Sequence, residues 1–502
     1  MAAAVESPPP LSVLMVASEA QPYAKTGGLA DVVGALAPTL ARLGHQVTVV
    51  LPHYREIGPQ SGDTTTRTVR LGPRSFDARL TVVAAEPGLR WVLVGCDGLY
   101  DRDGLYGDHA GDFADNATRF GLLARVALDW AERSTGLPDV IHAHDWQAGL
   151  VPVWLHTASG SLAEVPSLFT IHNLAYQGLF PTESLDTLGL PRELFSIDGL
   201  EFWGQISFLK GGLVFADGIT TVSRTYAREI LGMEQGEGLD GLLRHREAVL
   251  SGIPNGIDVE IWDPARDRFL PRGYSADDLS GKRAAKAELL ARYGLPTDPP
   301  ALARPLIGMV SRMVDQKGLD LIRDAKPRLD ALDATFTIVG SGADHYEEMW
   351  RARAAERPDR VGVVVGFDES LAHLVEAGAD LFLMPSRYEP CGLNQMYSMR
   401  YGTVPVVRAT GGLADTVTPY DAASGSGTGF VFDAYSADAM VDAIEAALDV
   451  FRQPERWRTI QRAGMRQDFS WDVSAAAYVQ RYRDVIERRQ AAGTAGGAPQ
   501  GV

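Results

Sequence analysis

Residues Leu11–Leu51 read LSVLMVASEAQPYAKTGGLADVVGALAPTLARLGHQVTVVL, and this stretch decides the fold class. Leu11–Ser18 is a short apolar run of the kind that forms a strand covered on both faces of a parallel sheet. The loop Glu19–Gly28 follows it. Leu29, Val32, Val33, Leu36 and Leu40 then recur at helical spacing, and Gly44 stands where a helix stop is expected. Gln46–Leu51 is the next strand-like block. Strand, helix and strand in this order make one βαβ unit.

The second half repeats this grammar. Pro305–Ser311, Thr335–Gly340, Val361–Phe367, Asp380–Pro385 and Val404–Ala409 read as strands, with helical patterns at Leu319–Leu332 and Ser370–Gly378 between them. Such alternation predicts an α/β chain of parallel sheets with helices on both faces. With 502 residues the chain exceeds what one hydrophobic core usually supports, so more than one domain is expected. The boundary is placed at Ser251–Asp258 (SGIPNGID), beyond which Pro, Asp and Gly are frequent as far as about Arg304. This divides the chain into residues 11–252 and 253–470. Residues 471–490 are read as a final amphipathic helix with Trp471, Val473, Ala476, Tyr478 and Tyr482 as candidate apolar positions. Met1–Pro10 is expected to be a disordered leader and Ala491–Val502 a frayed tail.

Composition narrows the function. A chain with 45% hydrophobic and 22% charged residues has the balance of a soluble globular protein. No apolar run approaches the roughly 20 residues that a membrane span needs, and Met1–Pro10 lacks the basic start and apolar centre of a secretory signal. The two cysteines, Cys96 and Cys391, fit a reducing cytoplasm and by themselves supply neither a disulfide framework nor a four-ligand zinc site. A formal charge of −17 argues against a nucleic-acid or anionic-membrane partner. Any phosphate ligand would therefore need Lys and Arg gathered locally.

The hexapeptide TGGLAD occurs at Thr26–Asp31 and again at Thr410–Asp415, each time ahead of a helical pattern. Paired glycines admit a ligand close to the backbone, and the helix start that follows offers N–H groups to an anion. Lys25 precedes the first copy and adds a cation. VIHAHDWQAG (Val140–Gly149) ends a strand with His142 and His144 on the same side of an extended chain. These two are open to three readings: a metal pair lacking nearby further ligands, a contact to a sugar hydroxyl, or packed strand-end histidines. FTIHNLAYQG (Phe169–Gly178) repeats the theme with His172 and Asn173. SRMVDQKG (Ser311–Gly318) brings Arg312 and Lys317 to the carboxyl edge of a strand, where α/β sheets bind ligands. PSRYEPCG (Pro385–Gly392) adds Glu389, a candidate acid, nucleophile or hydroxyl-binding carboxylate. Its Cys391 lies between Pro390 and Gly392 with no Cys–His–Asn set in view, and reads as a lining residue. A Walker A motif and a proper G-x-G-x-x-G after the first strand are both missing, which weakens an NTPase or hydride-transfer reading.

KTGGLADVVGAL, HAHDWQAG, FTIHNLAYQG, EFWGQISFLKGGL, NGIDVEIWDP, SRMVDQKGLDLI, PSRYEPCGLNQMYSMRYGTVPVVRATGGLADTV and DFSWD closely resemble bacterial glycogen synthases and plant starch synthases, in register from about residue 12 to residue 485. The resemblance implies a retaining glucosyltransferase (a hexosyltransferase) of GT-B fold: two facing Rossmann-like domains, a deep interdomain cleft, and a C-terminal helix crossing back to the N-terminal domain. It implies transfer of glucose from ADP-glucose to the non-reducing end of an α-1,4-glucan, in the cytoplasm, with no cofactor and no metal. By the same resemblance Lys25, Gly27 and Gly28 lie near the diphosphate and sugar, and His144 contacts the transferred glucose, with Asp145 and Asn173 beside it. Arg312 and Lys317 neutralise the departing diphosphate, Glu389 holds glucose hydroxyls, and Gly411, Gly412 and Leu413 offer backbone N–H groups to the phosphates. Related retaining enzymes often carry a second glutamate eight residues after the first. Here that position is Tyr397, which leaves ribose contacts unassigned.

The chemistry agrees with these roles. Sugar transfer passes through an oxocarbenium-like state while the nucleotide leaves with growing negative charge, which fixed cations stabilise. No residue stands out as a carboxylate nucleophile, and the family points to front-face attack. Two other GT-B activities compete, a UDP-glucose-dependent synthase and a phosphorolytic glucan enzyme. A carbohydrate-binding protein on an inactive transferase fold is a third alternative, disfavoured because Lys25, Arg312, Lys317 and Glu389 are all present.

Overall fold

The computed structural model describes residues 9–109 and 111–494. Residues 1–8 of the expected leader and 495–502 of the expected tail lie outside the described residues. Ala491–Thr494, read from sequence as tail, instead continue the last helix. Contacts divide the described residues into two compact units, one within residues 9–222, 227–253 and 471–494, the other of residues 223–226 and 254–470.

The first unit is built on a nine-stranded sheet. Its strands run Leu250–Gly252, Gly218–Thr221, Ser167–Ile171, Val140–His144, Ser12–Val16, Gln46–Pro52, Leu89–Gly95, Arg74–Glu86 and Asp63–Leu71 in spatial order. The first seven are parallel, as the βαβ grammar requires. The last two join by antiparallel pairings, Arg74–Glu86 with Leu89–Gly95 and Asp63–Leu71 with Arg74–Glu86, which corrects the purely parallel expectation. Gly72 takes a positive φ of 56° and, with Pro73, turns the chain directly from one strand into the next, leaving no crossover helix to make them parallel. Asp63–Leu71 is exposed along most of its length, as an edge strand can be.

The helix Gly28–Arg42 buries Leu29, Val32, Val33, Leu36 and Leu40 against this sheet. Its stop is the expected Gly44, at φ 94°, with the His45 N–H donating to the Leu40 carbonyl at 3.1 Å. The C-terminal helix Trp471–Thr494 joins the same core through Trp471, Ala475, Tyr478, Tyr482 and Val485. Two positions proposed from sequence are corrected: Val473 and Ala476 face solvent, Val473 at 55% exposure. The buried set follows the four- and three-residue steps of one helical stripe, which Val473 and Ala476 do not share.

The second unit holds a six-stranded, wholly parallel sheet in the order Val361–Val365, Thr335–Gly340, Leu306–Val310, Leu381–Met384, Val404–Arg408, Phe430–Phe432. Alternate residues feed two cores. Ile307, Met309, Leu381 and Leu383 face one layer of helices, whereas Leu306, Phe382 and Met384 face the other. Burying each such side chain is worth about 1.5–3 kcal/mol, so both faces hold the sheet. The helix expected over Leu319–Leu332 is two helices, Leu319–Asp324 and Lys326–Ala331. Pro327 lacks the N–H that would continue the first, so the second starts afresh around it. The Pro/Asp/Gly-rich stretch before Arg304 also contains a helix that its composition hid, Ser280–Arg292.

Candidate active site

In each sheet the strand order reverses direction beside the first strand of the unit, and the loops leaving the carboxyl ends of the two strands there carry most of the candidate residues. In the first unit these loops follow Ser12–Val16 and Val140–His144; in the second they follow Leu306–Val310 and Leu381–Met384. This is where open α/β sheets place ligands.

The first loop is organised by Glu19, a residue the motif reading passed over. Its carboxylate accepts from the Thr26 amide, from the Thr26 hydroxyl at 2.7 Å, from the Gly27 amide at 3.2 Å and from the Tyr106 hydroxyl. The amides expected to await an anion are therefore partly occupied by an internal one. A side-chain carbon on Gly27 or Gly28 would meet nothing within 4 Å, so the glycines border open space. Lys25 reaches Asp31 at 2.7 Å but is 46% exposed, and an exposed pair of this kind is worth little. Its ammonium is thus available to a stronger anion.

At the second strand end His142 is fully buried and uses both ring nitrogens, one with the Tyr482 hydroxyl at 2.8 Å and one with the Thr170 hydroxyl at 2.6 Å. Of the three readings open to it, packing is the one that the geometry supports. His144 lies over it at 4.0 Å between ring centroids and meets Nε2 of His172 through Nδ1 at 3.0 Å. Its own Nε2 is buried without a hydrogen-bond partner. Burial pushes the pKa of His142 down to about 3 and that of His144 well below the usual value, so both rings are neutral.

Asp145 adopts φ 54°, one of three non-glycine residues with positive φ among the described residues. Its carboxylate accepts from the His172 amide at 2.7 Å and from the Asn173 amide, tying the two strand ends together. Burial raises its pKa to about 7. Asn173 in turn folds its Oδ1 onto the Ala175 amide at 3.1 Å. Both residues thus shape the loop that carries His172.

In the second unit Lys317 and Glu389 come together across 72 positions, Nζ to Oε2 at 2.5 Å, with side chains 17% and 8% exposed. The Ser386 hydroxyl donates to the same oxygen at 3.1 Å. The two loops are knitted by the Arg387 amide on the Gln316 carbonyl at 2.8 Å. They are also pressed together at Gly318, where a side-chain carbon would sit 2.0 Å from the Pro385 carbonyl. Arg312 is exposed, and its guanidinium donates to the Gln316 side chain at 3.2 Å. Cys391 is buried, and burial pushes its thiol up to about 12, far from a reactive thiolate.

The second glycine pair has a different reason from the one its sequence suggested. A side-chain carbon at Gly411 would lie 2.0 Å from the Glu389 carbonyl, and one at Gly412 would lie 1.8 Å from that of Cys391. The Gly412 amide donates to the Glu389 carbonyl at 3.1 Å and the Leu413 amide to the Thr410 carbonyl at 3.0 Å. Gly411 and Gly412 therefore brace the Glu389 loop, to which the Gly412 amide is bonded, while the Leu413 amide is bonded within its own turn.

Residues 12–245 match the family described as starch synthase catalytic domain, and residues 299–463 match glycosyl transferases group 1. Glycogen synthases of Anaeromyxobacter dehalogenans and Myxococcus xanthus are each 49% identical over 95% of this chain and 100% of their own length. The catalytic domain of starch synthase IV from Arabidopsis thaliana, solved with ADP and acarbose, is 33% identical and superposes with a TM-score of 0.86 over 96% of this chain and all of its own. Similarity at this level spans both units and every motif loop described above. The chain belongs to the family of bacterial glycogen synthases and plant starch synthases, glycosyltransferases of the GT-B fold.

Proposed function

We propose that the protein is a glycogen synthase that transfers glucose from ADP-glucose to the non-reducing end of an α-1,4-glucan with retention of configuration. The observation that carries this reading is the buried Lys317–Glu389 pair with exposed Arg312 on the same loop as Lys317. A carboxylate held by an ammonium suits a hydroxyl-binding group, and two cations at one strand end suit a diphosphate. Arg312 and Lys317 stabilise the charge that grows on the leaving diphosphate, and the reading asks no metal to do so. Lys25, held by an exposed pair with Asp31, is a further cation able to take an anion. His144 offers its unpartnered Nε2 to a sugar hydroxyl, as a neutral ring.

None of the three buried carboxylates on these loops is a free nucleophile. Glu389 is ion-paired, Asp145 is bonded to backbone amides, and Glu19 accepts from the Thr26 hydroxyl and the Gly27 amide. This favours front-face attack by the acceptor hydroxyl, which passes its proton to the departing phosphate oxygen. The decisive assay offers labelled ADP-glucose and UDP-glucose separately, with glycogen as acceptor, with and without EDTA. Incorporation from ADP-glucose that survives EDTA is expected. A preference for UDP-glucose would overturn the donor assignment, and loss of activity restored by a divalent ion would overturn the metal-free part.

A further inference from the structure

The three non-glycine residues with positive φ among the described residues are Asp145, Trp203 and Glu237. The first shapes the candidate active site, and the other two meet at one surface corner of the same unit. Glu201–Phe202 pairs antiparallel with Gln205–Ser207, leaving Trp203 and Gly204 as a two-residue turn at φ 52° and 77°. Asn, Asp or Gly normally occupy the first of these positions, because a bulky side chain is strained there. Trp203 nevertheless stands 83% exposed.

The corner is firmly built. Buried Lys210 donates to the carbonyls of Ile197 and Glu201, each at 2.6 Å, and the Gly204 amide donates to the Glu201 side chain at 2.9 Å. Phe202 meets Trp203 edge-on at 6.1 Å. Glu237 and Gly238, at φ 49° and 77°, pass close by, and the Gln177 side chain holds the Glu237 carbonyl at 2.9 Å. A side-chain carbon at Gly238 would come within 3.2 Å of the Phe202 ring and 3.5 Å of the Trp203 indole nitrogen, so the bare glycine leaves room for both rings. Strain kept in a rigid frame to hold an aromatic ring in water points to a ligand.

We propose that the Trp203 corner is a stacking platform for a pyranose ring of the α-glucan acceptor chain, an assignment that rests on the proposed glucan activity. The C–H face of a pyranose is apolar and flat enough to cover an indole, and its rim of hydroxyls needs acceptors. Asp198, Glu234 and Glu237 are exposed beside or next to the corner in the chain. Carboxylates accept from sugar hydroxyls and repel nucleic acid or an anionic membrane, so charge selects a neutral polyhydroxyl partner.

The test compares Trp203→Ala, Trp203→Phe and Trp203→Asn in the full chain by electrophoresis through gels containing glycogen, and by acceptor and donor kinetics. The asparagine variant suits the turn better than tryptophan and should melt no lower than the parent protein. The expected result is retardation by glycogen about fivefold weaker in the Ala and Asn variants and largely kept in the Phe variant. The acceptor KM should rise in proportion, with kcat and the donor KM unchanged. Three results would overturn the platform: unchanged retardation in the Asn variant, a loss of kcat rather than a rise in acceptor KM, or concentration-dependent dimers that Trp203→Asn dissolves. Parent protein retained by glycogen but inactive with every sugar nucleotide would sink the catalytic reading while leaving the platform standing.

Discussion

The Lys317–Glu389 pair separates two effects that a single alanine variant usually confounds. Lys317→Ala removes a charge-stabilising donor and also leaves a buried carboxylate without its counter-ion, so kcat should fall by about 10²-fold or more and stability by about 2 kcal/mol. Arg312 is exposed, and its bond to the Gln316 side chain is weak. Arg312→Ala should therefore lower kcat to a similar degree while the melting temperature stays put, and Arg312→Lys should restore only part, since the planar fork is lost. Equal kcat values for parent and both alanine variants would contradict the leaving-group role. Cys391→Ser should remain active, because the buried thiol has no thiolate to offer. The histidines give a pH signature. His142 has a pKa lowered in the folded state, so its stabilisation is complete above about 6.5 and is lost as pH falls toward 3, at about 1.4 kcal/mol per pH unit. Asp145, raised to about 7, acts in the opposite sense and stabilises the fold as pH falls from 7 toward 4. Urea midpoints measured at pH 7, 6 and 5 should accordingly fall less steeply in His142→Asn than in the parent.

At the scale of elements, the C-terminal helix is the clearest test of register. Tyr478 is fully buried and lies 5.5 Å from the His142 ring, whereas Val473 is more than half exposed on the same helix. Tyr478→Ala should cost about 3–5 kcal/mol and Val473→Ala no more than about 0.5 kcal/mol, read from thermal or urea unfolding. Equal costs would mean that the helix packs on another face. The two copies of TGGLAD make a related point. Both open a helix, yet the first lies against open space and the carboxylate of Glu19, and the second lies against the backbone of Glu389–Cys391. Gly412→Ala should therefore disrupt the Glu389 loop and abolish activity, while Gly28→Ala should be tolerated for folding.

At the scale of the molecule, Lys25 and His144 belong to one unit and Arg312, Lys317 and Glu389 to the other. Glucose transfer should therefore fall in Lys25→Ala as well as in Lys317→Ala, measured with the same donor and acceptor, and an unchanged rate in either variant would contradict the role of that lysine. Besides the short excursion of residues 223–226, the chain crosses between the units at Ile253–Pro254 and Ser470–Trp471. Beside these crossings the Ile257 amide donates to the Phe469 carbonyl at 2.8 Å, which ties the two segments together within the second unit.

The sequence by itself determined the α/β class, five of the six strands of the second half to within two residues (Phe430–Phe432 was missed), and the loops that carry Arg312, Lys317 and Glu389. Those signals are local, since apolar runs, helical spacing and Gly–Gly pairs act on neighbours in the chain. Tertiary structure alone decided what each polar residue of those loops bonds to. Lys317 meeting Glu389 across 72 positions and Tyr482 meeting His142 across 340 positions are long-range pairings that no spacing encodes, and even Glu19 capping Thr26 and Gly27 depends on how its own loop folds back. The same holds for the two antiparallel pairings at the sheet edge, each closed by a tight turn, and for the strain at Trp203, which only backbone geometry reveals. Local propensity sets the elements. The geometry of the sheet edges then decides which distant side chains share a site, because a buried polar group must find its partner wherever the fold brings one.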